Sequence, residues 1–268
     1  MDELVAQLRA AGCVFAEEEA DVLRSSASSA EQLRDLAVRR MAGEPLEHLV
    51  GWASFDGLRV RVAPGVFVPR LRTTLLVRVA AGLLTAGDVV VDLGCGSGAI
   101  GAAVAARVPG VEVWAVDVDP AAVACARLNL PPERVLLGDL LDPLPAGLSA
   151  RVVCANAPYV PTAEIGRMPP EARDHEHRVA LDGGFDGLDV QRRVAAAVPA
   201  LLAPDGVVLI ETSRAQAAAT AALLAAAGLA TRLHVDDEVA GTVVAGRRTR
   251  KVVHPPPADD PREGGTAR

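Results

Sequence analysis

The 268 residues carry a formal net charge of −7, and half of them are hydrophobic with only 3% aromatic, so a sizeable aliphatic core of Ala, Val and Leu is expected in one or two domains. The acidic balance excludes an electrostatic footprint for nucleic acid, and no apolar run approaches the ~18 residues of a membrane span. Lys251 is the sole lysine, and Cys13, Cys95, Cys125 and Cys154 form no C-x-x-C pair, which removes lysine Schiff-base chemistry from the folded part, a zinc signature and a disulfide framework. Without a basic-apolar leader, cytoplasmic residence is expected, with no DNA or membrane partner.

The chain opens with helical punctuation. Leu4, Val5 and Leu8 recur at helical spacing, and Ser28-Ser29-Ala30-Glu31 supplies an N-cap and a first-turn acid ahead of Leu33, Leu36, Ala37 and Arg40. Glu44-Pro45-Leu46 reads as a short helix with Pro at its first position, ending at Gly51. These features predict an N-terminal helical domain over residues 1–51. Trp52 to Val68 alternates around Asp56-Gly57, the signature of a β-hairpin, and residues 52–72 are read as a linker.

From Asp88 the pattern becomes βαβ. Strands are predicted at Val89–Asp92, Glu112–Asp117, Arg134–Leu137 and Arg151–Ala155, with helices at Ala99–Arg107 and Pro120–Asn129 between them. A helix at Leu188–Val198, a strand at Gly206–Glu211, a helix at Ala215–Ala227 and a strand pair at Ala230–Val235 and Thr242–Ala245 follow. Such alternation predicts an α/β fold, a mostly parallel sheet covered by helices on both faces, over residues 73–250. Residues 251–268 are rich in Pro, Gly and charge, and a disordered tail is expected there.

Two stretches carry chemistry. Gly94-Cys95-Gly96-Ser97-Gly98 follows a strand and opens a helix, so its backbone N–H groups can approach a polar ligand without Cβ hindrance. Gly96 to Gly101 also satisfies the dinucleotide G-x-G-x-x-G, which keeps NAD open. Asp92, just before the glycines, favours a cationic ligand such as S-adenosylmethionine. Asp117, ending the second strand, is placed to accept from ribose hydroxyls; it is preferred over Asp119, because Asp119-Pro120 reads as a helix N-cap and first position. Asp139, with Leu140 beside it, is a candidate for the adenine amino group, or else a loop cap ahead of Pro143.

The second stretch is Asn156-Ala157-Pro158-Tyr159, which closes an apolar strand and holds the chain's only tyrosine. An amide, a prolyl bond and a flat ring at the C-terminal edge of a parallel sheet stand where open α/β sheets bind ligands. His175 and His177 lie in a charged stretch without a third ligand and are read as solvated loop residues. Cys95 is read as a small filler under the cofactor.

From about Arg39 to Arg248 these residues resemble the HemK/PrmC family of class I methyltransferases, which modify the glutamine of the Gly-Gly-Gln motif in peptide chain release factors. The resemblance rests on Asp92-Leu93-Gly94-Cys95-Gly96-Ser97-Gly98-Ala99-Ile100, on Pro64 to Arg70, and on Ala180-Leu181-Asp182-Gly183-Gly184-Phe185-Asp186-Gly187-Leu188-Asp189. Asn156 to Tyr159 stands where the family has Asn-Pro-Pro-Tyr. Ala157 keeps the backbone carbonyl that this second position contributes. Other departures are Pro69-Arg70-Leu71-Arg72-Thr73-Thr74 for Pro-Arg-Pro-Glu-Thr-Glu, and Thr242 for an arginine. The resemblance implies a monomeric, Rossmann-like, seven-stranded enzyme that uses S-adenosylmethionine through Asp92, Gly94, Cys95, Gly96, Ser97, Gly98, Asp117, Asp139, Leu140 and Asn156. It would methylate a glutamine amide in a protein at Asn156, Ala157, Pro158 and Tyr159, with the N-terminal helices recognising that substrate. A small-molecule amide or amine, adenine, an NAD-dependent oxidation and a non-catalytic binding role remain as alternatives.

Overall fold

The computed structural model describes residues 2–248, so the stretch 251–268, expected as a tail, lies outside the described residues. Four helices come first: α1 (Glu3–Ala10), α2 (Ala16–Ser26), α3 (Ala30–Met41) and α4 (Leu46–Val50). They share an apolar core of their own, with Leu8, Ala16, Ala20 and Leu23 fully buried. Ser29 caps α3 by accepting the Gln32 N–H, and the Gln32 side chain reaches back to the Ser28 N–H, a reciprocal closure of two orphan donors. Pro45 sits at the N-cap of α4 rather than at its first helical position, and Gly51 ends the helix at φ 76°.

Strands β1 (Trp52–Phe55) and β2 (Leu58–Arg61) form the hairpin, with Asp56 (φ 50°) and Gly57 (φ 80°) in the turn. Its strands stop at Arg61. Beyond it the chain runs without further strand pairing in the hairpin to a 3-10 turn, Leu71–Thr73, and α5 (Thr74–Ala81).

The remaining elements are β3 (Val89–Leu93), α6 (Ala99–Arg107), β4 (Glu112–Asp117), α7 (Pro120–Ala126), β5 (Val135–Leu137), β6 (Ala150–Ala155), α8 (Pro170–His175), α9 (Asp189–Ala197), β7 (Leu202–Glu211), α10 (Ala217–Ala226), β8 (Leu229–Asp236) and β9 (Gly241–Arg248). Seven strands form one sheet in the order β5-β4-β3-β6-β7-β9-β8, parallel except that β9 runs antiparallel to both of its neighbours. Successive strand residues face opposite sides. Val90, Ala115, Val152 and Leu209 pack under α5, α6 and α7, while Val91, Val116, Val153 and Ile210 pack under α9 and α10.

Three helices carried no clear sequence signal: α2, α5 and α8. The stretch holding α8, expected as a solvated loop, is ordered by two acids. Glu171 pairs with Arg40 of α3 at 2.6 Å, and Glu176 is buried, accepting from the Val68 N–H and from Arg70. Strand β7 also starts earlier than expected, at Leu202, because a register shift against β6 lets Pro204-Asp205-Gly206 bulge within the strand.

Candidate active site

The order of the sheet places β3 between β4 and β6, the point where the chain's progression reverses and where open α/β sheets bind ligands. Register then aligns the strand ends. Leu93 pairs with Val116 on one side and Ala155 on the other, and Asp117 pairs with Leu137. Gly94, Asp117, Gly138 and Asn156 therefore emerge at one level, around a cavity of about 340 Å³ that all four line.

The glycine loop divides into two roles. A Cβ at Gly94 would meet nothing within 4 Å, and one at Gly96 would meet only Phe67 at 3.9 Å; both glycines take positive φ and leave open space on the cavity side. Gly98 does not line the cavity. It starts α6 at φ 76°, and a Cβ there would come within 2.9 Å of Leu130, so it permits helix packing rather than ligand approach. Cys95 and Ser97 line the cavity and are buried, Cys95 at 5% exposure as a filler.

Asp92 also departs from its expected place. Its carboxyl is fully buried behind the loop, is absent from the cavity wall, and accepts the Gly101 N–H at 3.0 Å, holding the first turn of α6. Its other oxygen has no hydrogen-bond partner among the described residues. Burial pushes this carboxyl up to about 7, opposed by the Gly101 N–H and reinforced by Asp117.

Asp117 faces the cavity. One oxygen accepts the Gly96 N–H at 2.8 Å and the other the Asp119 N–H at 2.9 Å, while burial raises its pKa. Asp119 caps α7 through the Ala121 N–H, and its second oxygen meets His177 Nδ1 at 2.5 Å. His177 is thus a tie rather than a free loop residue: its N–H donates to the Gly65 carbonyl at 2.8 Å, and its ring lies where a side chain at position 65 would be. Asp139 lines the cavity with its carboxylate paired to Arg193 of α9, and Leu140 beside it takes φ 47°.

On the far side of the glycine loop, Asn156, Ala157, Pro158 and Tyr159 line the same cavity. Asn156 Nδ2 donates to Thr73 Oγ1 at 3.4 Å, and Ala157 is buried. The Tyr159 carbonyl accepts from Gln216 at 3.0 Å, and Gly187 packs so closely on it that a Cβ would lie 2.3 Å away. The Gly-Gly-Phe-Asp-Gly segment therefore acts as a backbone support for the Asn156 loop. The Arg72 guanidinium stands 5.9 Å from the centre of the Tyr159 ring, and burial raises the Tyr159 pKa against Arg72. Sequence reasoning did not single out Thr73, Glu211 or Gln216 as site residues. They lie 83, 55 and 60 positions from Asn156 and join it only through the fold.

A family model described as methyltransferase small domain matches residues 58–160. A release factor glutamine methyltransferase from Gloeobacter violaceus is 42% identical over 206 residues, which cover 73% of this chain and 71% of that protein. One from Streptomyces coelicolor is 43% identical over 190 residues, covering 68% of this chain and 67% of that protein. A solved methyltransferase from Pyrococcus furiosus is similar in fold, with a TM-score of 0.52 at 16% identity over 72% of this chain and 89% of that one. Among the described residues no helix is long and apolar enough to cross a membrane. With its seven-stranded class I sheet, its glycine loop and relatives of this identity and coverage, the chain belongs to the release factor glutamine methyltransferase family.

Proposed function

We propose that the chain binds S-adenosylmethionine in this cavity and methylates the side-chain amide nitrogen of a glutamine in a protein, with the Gly-Gly-Gln loop of a release factor as substrate. The observation that carries the reading is the meeting, in one cavity, of open-faced Gly94 and Gly96 and the Asp117 carboxylate with the Asn156 to Tyr159 loop. When bound, S-adenosylmethionine supplies an electrophilic methyl group on a sulfonium. The residues fit it. Gly94 and Gly96 leave backbone room for its polar end, Asp117 offers carboxylate lone pairs for ribose hydroxyls, and Asp139, Gly138 and Leu140 line the side on which adenine would lie.

An amide nitrogen is a poor nucleophile because its lone pair is delocalised into the carbonyl, so positioning has to replace basicity. In this reading the Asn156 oxygen and the Ala157 carbonyl each accept one N–H of the substrate amide, and the Tyr159 ring packs on its flat face. Fixing a reactant in this way supplies up to ~7–11 kcal/mol of a barrier. Accepting carbonyls also stabilise the nitrogen as positive charge develops on it, before its proton is lost. The N-terminal helices, tied to α8 through Arg40 and Glu171, provide a surface for the protein substrate beyond the cavity.

Titration calorimetry with S-adenosylmethionine and with NAD tests the cofactor class, and methyl transfer from labelled S-adenosylmethionine to a release factor tests the substrate. Binding of the first alone and labelling of the Gly-Gly-Gln glutamine are expected. Binding of NAD, or a release factor left unlabelled by an enzyme that binds S-adenosylmethionine, overturns the corresponding half.

A further inference from the structure

An asparagine side chain is two-faced: Oδ1 accepts, Nδ2 donates, and half a turn of the amide exchanges them. To take an N–H from a substrate amide, Asn156 has to hold Oδ1 toward the substrate. In the structure Nδ2 is engaged elsewhere, donating to Thr73 Oγ1 at 3.4 Å. Thr73 is 2% exposed, lines the same cavity and ends the 3-10 turn before α5.

A threonine hydroxyl accepts reliably from Asn156 only if its own proton has another destination. Glu211, the last residue of β7, is the neighbouring acid that can take it. The register Ala155 against Ile210 brings Glu211 to the level of Asn156, and its side chain is 1% exposed. Arg72 Nε lies 3.4 Å from one of its oxygens, and the other oxygen has no hydrogen-bond partner among the described residues. Burial raises the Glu211 pKa, while the Thr73 hydroxyl and the Arg72 guanidinium work against that rise. An ionised carboxylate only accepts. With Glu211 ionised, a Thr73 proton turned toward it leaves an oxygen lone pair for Asn156.

We propose that Thr73, oriented by Glu211, is a positioning residue that locks the Asn156 amide with its oxygen toward the substrate. The inference rests on the reading above, in which Asn156 accepts an N–H from the amide being methylated. Thr73 takes no part in the transfer itself.

The test compares Thr73→Val, which keeps the shape and deletes the hydroxyl, with Thr73→Ser, which keeps the hydroxyl. Methyl transfer to a release factor, S-adenosylmethionine affinity and Tm are measured for both. Thr73→Val is expected to lower kcat by up to about a hundredfold, the cost of a misplaced reacting group, with KM and cofactor affinity within a few-fold. Thr73→Ser should recover most of the rate, and on an Asn156→Ala background Thr73→Val should cost nothing further. A wild-type kcat in Thr73→Val, a Thr73→Ser enzyme as slow as Thr73→Val, or a full additional loss on the Asn156→Ala background overturns the proposal. If Thr73→Val fails to unfold cooperatively, Thr73→Ser against Thr73→Ala makes the same comparison. Failure of the wider reading looks different: then Asn156→Ala itself is as fast as wild type, or the wild-type enzyme leaves the release factor unlabelled, and this inference falls with it.

Discussion

The Asp117 carboxylate accepts the N–H of Gly96 at 2.8 Å, so the end of β4 braces the glycine loop that follows β3. One oxygen therefore serves the loop while lone pairs of the same carboxylate remain for a ligand. Asp117→Ala removes both contributions and should weaken S-adenosylmethionine binding by about 1.5–3 kcal/mol, the scale of a hydrogen bond to a charged group. Titration calorimetry checks this, and an unchanged Kd would mean that the ribose is held elsewhere.

Gly94→Ala and Gly98→Ala should fail in different ways. Both positions take positive φ, which costs an L-residue roughly 1–2 kcal/mol. At Gly94 the new methyl enters open space on the cavity wall, so cofactor affinity should suffer more than Tm. At Gly98 it meets Leu130 at 2.9 Å and Ala126 at 3.2 Å, so Tm should drop more than at Gly94. Paired thermal melts and cofactor titrations distinguish the two.

Asn156→Ala should lower turnover by about a hundred- to a thousandfold, the usual effect of losing one oriented partner at a reacting centre, with cofactor affinity within a few-fold. Asn156→Asp should also be slow, since a carboxylate near a sulfonium stabilises the cation that transfer discharges. Rapid-quench measurement of methyl transfer checks both. A wild-type rate in Asn156→Ala would reduce the residue to a turn former.

Asp92 makes stability depend on pH in a defined direction. Its folded-state pKa of about 7 lies above the ordinary carboxylate value of 3.8, so the folded chain holds a proton that the unfolded chain releases. Its contribution is complete below about pH 4 and is lost as pH rises through 7. Asp92→Asn cannot ionise, and its amide oxygen can still accept the Gly101 N–H. The stability difference between Asp92→Asn and wild type should therefore move in favour of the variant between pH 5 and pH 8, as read from denaturant melts. A difference constant across that range would show Asp92 ionised throughout.

Arg40 is 7% exposed and bridges Glu19 of α2 and Glu171 of α8, both at 2.6 Å. Burial works against its charge, and the two carboxylates more than compensate, raising its pKa. Arg40→Ala leaves the largely buried Glu19 without its cation. The loss should fall near the lower end of roughly 3–5 kcal/mol, because Glu171 is half-exposed and recovers solvation. A denaturation midpoint unchanged from wild type would show that apolar contacts alone hold the N-terminal helices in place.

The sequence by itself determined the elements whose signals are local. The Val-rich runs, the glycine punctuation after β3, the Asp56-Gly57 turn and the Ser29 and Asp119 caps each act within a few residues, so strands β3, β4 and β6, helix α6 and the hairpin were legible without coordinates. The family motif likewise marked the two ends of the cavity. Only the tertiary structure decided what the residues inside those motifs do. Gly94 and Gly98 read alike in sequence, yet one faces the cavity and the other the side chain of Leu130. Asp92 and Asp117 share one face of the sheet, yet Asp92 is level with Ala115, two residues short of Asp117, so the first is buried beneath α6 and the second stands at the strand end on the cavity. His177, Glu176, Glu211 and Thr73 acquired partners 58, 106, 139 and 83 residues away in sequence, at separations where no periodicity or propensity carries information. The physical reason is the sheet register: pairing Leu93 with Val116 and Ala155 sets the strand ends level, and only that long-range hydrogen bonding brings the glycine loop, Asp117 and Asn156 around one cavity.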